Sequence, residues 1–407
     1  MQSTRFSAFI LTTMALGAMT LGMIQPIVGA ADLDSRWVGT WGASPQLTEP
    51  RNLPPPPGLT SNTLRQIVQV SIGGEKLRLR FSNAFGTNPV TMNSVQLALS
   101  AGGSAIKTNS DLALTFQGKP SMTIPAGESV LSDTFDFDLT PLSDLAVTIG
   151  FGGTSGAVTG HPGSRSTSYL QSGDAVSAVD LPMAAQTQHW YILTGIDVET
   201  DKSSAAIVTL GDSITDGRGS GTDKNDRWPD ELARRLQADK TLADIAVLNE
   251  GIGGNCVLRG GLGPTALSRF DRDVLSQSGV RWLIVLEGVN DIGGSRDPSV
   301  ATNLIAAYDK MIEQAHARNL RVYGATITPF GGSFYDNPGH ETARETVNNW
   351  IRTSGKFDAV IDFDAAIRDP QNPTHLLPAA DSSDHLHPNE AGYKIMAGAI
   401  DLKLFRN

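Results

Sequence analysis

The chain has 407 residues, 40% of them hydrophobic and 18% charged; that is longer than one ordinary domain and apolar enough for a real core, so a wholly disordered protein is excluded. Gly (42) and Pro (22) are plentiful but follow no G-X-Y period, which excludes collagen. With 32 Lys and Arg against 42 Asp and Glu, the formal charge is -10, which argues against a nucleic-acid partner, since such a partner needs a concentrated basic face.

Residues 1–30 carry one charged residue, Arg5, followed by an apolar run from Phe9 to Ile24 and the small residues Val28-Gly29-Ala30 before Ala31. This is the layout of a secretory signal peptide, so residues 1–30 are expected to be removed and the protein to be secreted or periplasmic. The run falls short of the ~20 residues a spanning helix needs. No later stretch reaches that length, so no membrane span is expected in the mature chain. Cys256 is the lone cysteine; it can form no intrachain disulfide and reads as a buried filler.

From 31 to 198 the sequence reads as an all-β domain, a sandwich or jelly roll. Leu77, Leu79 and Phe81 alternate with Arg78 and Arg80, and Leu145, Val147, Ile149 and Phe151 alternate likewise. A period of two predicts one buried and one wet face on each strand. Turn signals such as Gly73-Gly74 and Gly102-Gly103 separate the runs, and no helical period appears. The expected role of this region is to brace the C-terminal half, or to bind saccharide.

From 199 to 407 the pattern becomes strand–helix–strand. Short apolar runs at Ala206–Leu210, Ile245–Leu248 and Trp282–Leu286, and strands at Arg321–Ile327 and Ala359–Phe363, alternate with helical stretches at Pro229–Ala238, Ser299–Arg318, Thr342–Thr353 and Glu390–Phe405. Continuous apolar strands between helices predict a buried parallel sheet with helices on both faces. Sites in such sheets form at the carboxyl ends of the strands.

Four segments stand at those ends. Gly211-Asp212-Ser213-Ile214-Thr215-Asp216-Gly217 follows the first strand and puts a serine on a strand-to-helix turn. It differs from the Gly-x-Ser-x-Gly elbow, because Thr215 stands where the second Gly would be. Asn249-Glu250-Gly251-Ile252-Gly253-Gly254-Asn255 follows the second strand, where glycine can aim a backbone N–H at a developing oxyanion. Gly288-Val289-Asn290-Asp291 follows the third and offers a neutral amide donor. Asp384-His385-Leu386-His387-Pro388 precedes the last helix and places a carboxylate three residues before an imidazole. A carboxylate–imidazole–hydroxyl chain is what nucleophilic catalysis by serine needs. Asp384, His385 and His387 as metal ligands is the competing reading. His161, His189, His316, His340 and His375 read as structural or surface residues, and Asp212 as a brace of the nucleophile turn.

In this order the segments resemble those of the SGNH hydrolases, also called GDSL esterases and lipases, over roughly 205–407. The resemblance implies a three-layer α/β/α flavodoxin-like domain that cleaves carboxylic esters. It implies Ser213 as nucleophile, His387 as base and Asp384 as its orienting carboxylate. The oxyanion donors would be the N–H groups of Ser213 and Gly254 and the side chain of Asn290, with Gly253 as the fallback for Gly254. No metal and no organic cofactor is implied. Ile214 departs mildly from the name-giving motif, which has Leu there. The substrate is expected to be a small-molecule or saccharide ester, short-chain and chiefly acetyl, since no apolar lid stands beside a motif. A lipase or lysophospholipase of the same family, a peptidase, or a non-catalytic carbohydrate-binding protein are the alternatives.

Overall fold

The computed structural model describes residues 36–154, 156–200 and 203–406. The proposed signal peptide lies outside these residues. In the β half the main strands are β1 (Arg36–Gly42), β2 (Thr63–Gln69), β3 (Gly74–Ser82), β4 (Val90–Gly102), β5 (Asp144–Phe151), β6 (Ser168–Gln171) and β7 (Leu193–Thr200). They pair antiparallel in two main sheets. One runs β1-β7-β3 and on to Phe135–Leu139; the other holds β6-β2-β5-β4 with short edge strands. The inward residues Leu77, Leu79 and Phe81 of β3 and Leu145, Val147 and Ile149 of β5 are almost fully buried and fill the space between the sheets. Fully burying one such side chain is worth about 1.5–3 kcal/mol.

The expected wet faces are covered in two places. On β3, Arg78 and Arg80 turn away from the sandwich core, yet both pair with Asp197 of β7. Arg78 also donates to Ser278 at 3.3 Å. On β5, Thr148 accepts from the buried Arg65, whose guanidinium also reaches the backbone carbonyls of Ser104 and Ala178. Alternation tells which face is apolar, but a polar face can be buried too when each donor finds an acceptor.

The second half is a five-stranded parallel sheet of β8 (Ala205–Gly211), β9 (Ile245–Gly251), β10 (Val280–Leu286), β11 (Arg321–Ala325) and β12 (Ala359–Ile361), in the order β9-β8-β10-β11-β12. Every neighbouring pair is parallel. This is the flavodoxin-like order. The helices are α1 (Ser213–Asp216), α2 (Trp228–Ala238), α3 (Ala266–Phe270), α4 (Val289–Gly293), α5 (Val300–His316), α6 (Pro338–Thr353), α7 (Phe363–Ile367) and α8 (Glu390–Ala399). α5 buries Leu304, Ala307, Tyr308, Met311, Ile312 and Ala315 on one stripe.

Two elements differ from expectation for local reasons. Phe363 does not end a strand; Asp362 caps α7 by accepting from Ala365 N, so Phe363 opens the helix. The closing helix also stops at Ala399, and Asp401 caps a separate turn at Leu402–Phe405.

The edge strand β9 is not bare. Val247 N donates to Ser71 Oγ of the β half at 3.1 Å, and Gly39 N of β1 donates to Ser278 O just before β10 at 2.9 Å. One hydrophobic cluster runs from Val38 and Leu79 through Ile207 and Leu248 to Phe405. Among the described residues no helix is long and apolar enough to cross a membrane.

Candidate active site

Ser213 is the first residue of α1, directly beyond β8. Asp212 caps this single turn, its side chain accepting from Ile214 N at 2.9 Å, and Gly217 ends it at φ +98°. The result holds Ser213 Oγ 2.7 Å from His387 Nε2. His387 Nδ1 in turn lies 2.7 Å from Asp384 Oδ2. Asp384 is fixed by accepting on Oδ1 from the backbone N–H groups of Leu386 and His387. Partial burial alone would raise its carboxyl, but the hydrogen bonds from the His387 side chain and backbone outweigh this and hold it well below the usual carboxylate range. A carboxylate so held stays ionised and keeps the Nδ1 proton of His387 in place, leaving Nε2 to face the serine.

Asn290 is the second residue of α4 and is buried. Its amide donates to Asn255 O at 2.8 Å, and its Oδ1 accepts from Tyr335 Oη at 3.0 Å. An amide nitrogen carries two protons, so one remains beyond the bond to Asn255 O. Gly254 has φ +72°, a left-handed conformation that favours glycine, and lines with Asn290 a cleft of about 950 Å³. Gly253 does not line that cleft; it backs onto Asp216, whose Oδ2 would lie 3.2 Å from a Cβ placed there. Leu258, Leu262, Leu267, Val300 and Tyr335 form much of the cleft's wall.

His385 does not join His387. It takes φ +60°, stays exposed and bonds through Nδ1 to Asp381 Oδ2 at 2.6 Å. That turns it away from a shared metal site with Asp384 and His387. Among the described residues, no group of three or more His, Cys, Asp or Glu side chains is placed to hold a metal ion. Cys256 is buried and lines the cleft.

Sequence reasoning missed the support beneath the site. Arg269 of α3 is fully buried and reaches six acceptors: Asn255 Oδ1, Ser44 Oγ, Glu250 O, Asp273 Oδ2, Gly211 O and Glu287 Oε1. It therefore ties together the carboxyl ends of β8, β9 and β10. Around it the carboxyls are displaced upward. Burial pushes Asp212 up to about 7, with the charges of Asp291 and Asp216 adding to the rise. Burial also raises Glu287 and Asp291. Nothing in the local sequence marks Arg269, because an arginine on a short amphipathic turn reads as solvent-facing.

Glu250 offers a test of this buried charge. It accepts from Ser44 Oγ at 2.7 Å and from Gln277 Nε2 at 3.1 Å, and burial, reinforced by Asp273, pushes it up to about 8. A raised carboxyl binds a proton in the folded chain that the unfolded chain has released. Its contribution is present below the ordinary value of 4.5 and is lost as pH rises toward 8. Glu250→Gln removes this titration. Urea unfolding is expected to show the variant gaining on the wild type between pH 5 and pH 8, by at most ~1.4 kcal/mol per pH unit. A difference independent of pH would mean that Glu250 is ionised throughout.

Residues 209–395 match the model of the GDSL-like Lipase/Acylhydrolase family. An acetylxylan esterase of Geobacillus stearothermophilus is 26% identical over 217 residues, covering 49% of this chain and 93% of that protein. Among solved structures, the acetylxylan esterase Axe2 of the same organism has a TM-score of 0.38 and 23% identity over 48% of this chain and 92% of its own. A GDSL-like lipase from Bacteroides thetaiotaomicron has a TM-score of 0.38 and 17% identity over 51% and 91%. The matching segment, 209–395, holds Ser213, Gly254, Asn290, Asp384 and His387, and its similarity to the GDSL-like lipase/acylhydrolase family supports carboxylic ester hydrolysis as the activity.

Proposed function

We propose that the protein is an exported serine esterase that removes short acyl groups, chiefly acetyl, from saccharide esters. The observation that carries the serine mechanism is the chain of two 2.7 Å contacts from Ser213 through His387 to Asp384. In this mechanism His387 Nε2 takes the Ser213 proton as Oγ attacks the ester carbonyl. The carbonyl oxygen becomes an oxyanion, held by the N–H groups of Ser213 and Gly254 and by the Asn290 amide. The C–O bond to the alcohol breaks as His387 returns the proton to the leaving oxygen. Water, deprotonated by the same imidazole, then attacks the acyl-enzyme and releases the acid. Every step uses side chains and backbone of this chain.

The acetylxylan esterase relative supports the acetyl-saccharide reading. Export rests on the signal-peptide layout of residues 1–30. The cleft favours a second reading. His387 protonates the alcohol, so the alcohol lies on the His387 side and the acyl group on the other. The 950 Å³ cleft has Gly254 and Asn290 in its wall and no residue from 381–388. Its leucines suit a longer acyl chain, as in a lipase or lysophospholipase.

Hydrolysis of p-nitrophenyl esters from acetate to palmitate separates the two. The expected result is a rate that peaks at acetate and falls at least about tenfold by octanoate, whereas a chain bound along the cleft's leucines would gain ~0.8 kcal/mol per buried CH₂. Release of acetate from acetylated xylan is expected alongside. A rate that climbs with chain length would replace the first reading with the second.

A further inference from the structure

Asp216 closes the nucleophile turn α1, three residues after Ser213, and is almost fully buried. The side chain bonded to its carboxylate comes from the other half of the chain. His161 Nε2, on the short strand Thr159–His161, lies 2.9 Å from Asp216 Oδ1. The other ring nitrogen, Nδ1, lies 2.9 Å from Ser44 O. The imidazole is buried and stacks on Trp190 at 5.7 Å.

A backbone carbonyl only accepts, so Nδ1 donates to Ser44 O. That contact aims Nε2 at the Asp216 carboxylate, 2.9 Å away. On the far side, Asp216 Oδ2 has no hydrogen-bond partner among the described residues and is pressed against Gly163, where a Cβ would stand 1.8 Å from it. His161 and Gly163 thus grip both carboxylate oxygens from the β half.

We propose that His161 is a positioning residue for the Ser213 nucleophile, acting through Asp216 at the end of α1. The inference rests on the serine-esterase reading. It makes the β half a working part of the catalytic centre: α1 is one turn long, so a shift of Asp216 is a shift of Ser213. An ångström of misplacement at a nucleophile can cost about 10²-fold in rate.

The test compares two substitutions that keep different halves of the imidazole. His161→Gln places an amide nitrogen near the Nε2 position and keeps the bond to Asp216. His161→Asn places one near Nδ1 and keeps only the bond to Ser44 O. The full-length protein is treated with diisopropyl fluorophosphate, in which serine Oγ displaces fluoride from phosphorus. The rate of Ser213 labelling is read by mass spectrometry beside kcat and KM on p-nitrophenyl acetate.

His161→Asn is expected to slow labelling and lower kcat by about 10- to 100-fold, with KM little changed and the thermal midpoint showing a folded protein. His161→Gln is expected to recover most of the rate. Gly163→Ala, which pushes on Asp216 without touching His161, is expected to slow labelling by a similar factor and covers the case in which His161→Asn does not fold. A folded His161→Asn or Gly163→Ala protein that labels at the wild-type rate would overturn the proposal, as would equal losses in the two His161 variants. Wild-type protein that is not labelled at Ser213 would overturn the serine reading itself, and this inference with it.

Discussion

Ser213→Ala is expected to lower kcat/KM on p-nitrophenyl acetate by about 10⁴- to 10⁶-fold while leaving the fold intact. In the proposed mechanism the hydroxyl attacks the ester, activated through its 2.7 Å bond to His387 Nε2. Its loss removes no packing of consequence, because the side chain shrinks by one oxygen and the turn is held by Asp212 and Gly217 instead. Circular dichroism and the thermal midpoint should therefore match the wild type within a degree or two. The residual rate should reflect the oxyanion donors alone. Activity within tenfold of the wild type in a purified variant would mean that another group performs the attack.

The largest effect on stability is expected at Arg269. Replacing it by Leu leaves the fully enclosed Glu287 without its cation, while Asp273 keeps its pair with Arg272. Removing one partner of a buried pair typically costs about 3–5 kcal/mol, because the charge left behind has neither water nor counter-ion. Urea unfolding at pH 7 should register a loss of that order. The deficit should shrink at pH 5, where the stranded carboxyl can take up a proton. Arg269→Lys is expected to fall between, since one ammonium with three donors cannot serve six acceptors spread over three strand ends. Activity should drop too, because Gly211 O, one of those acceptors, lies two residues before the nucleophile. A fully stable Arg269→Leu protein would show that Glu287 is already neutral in the folded state.

These two sites also mark what a single sequence can and cannot disclose. Ser213, Gly254, Asn290 and the Asp384–His387 pair were legible because each stands just past a strand or before a helix, where the chain must turn and where the sheet gathers its loops. The parallel strands were legible because burial on both faces leaves unbroken apolar runs such as Ala205–Val208 and Leu283–Leu286. Arg269 and His161 were not legible. Each depends on partners far away in sequence: His161 on Asp216, and Arg269 on Ser44. A period of two on β3 announced Arg78 and Arg80 as wet, and only tertiary pairing with Asp197 brings them under cover. For Trp41 and Ser44 the sequence left open whether they pack against the second half or the rim of the site. Trp41 meets Trp190 edge to face at 5.0 Å, and Ser44 meets Glu250 and Arg269.

The covering of β9 has a further consequence for solubility. A parallel sheet ending in a strand of seven largely buried residues, Ile245–Gly251, would offer an open row of backbone donors and acceptors to any neighbouring chain. Here Val247 N is capped by Ser71 Oγ, and the strand packs beneath β1. A fragment reduced to the parallel-sheet half would bare this edge and the apolar side chains around it at once. Such a surface templates strand addition from one molecule to the next. The β half therefore also shields the open edge of the parallel sheet from strand addition by another chain.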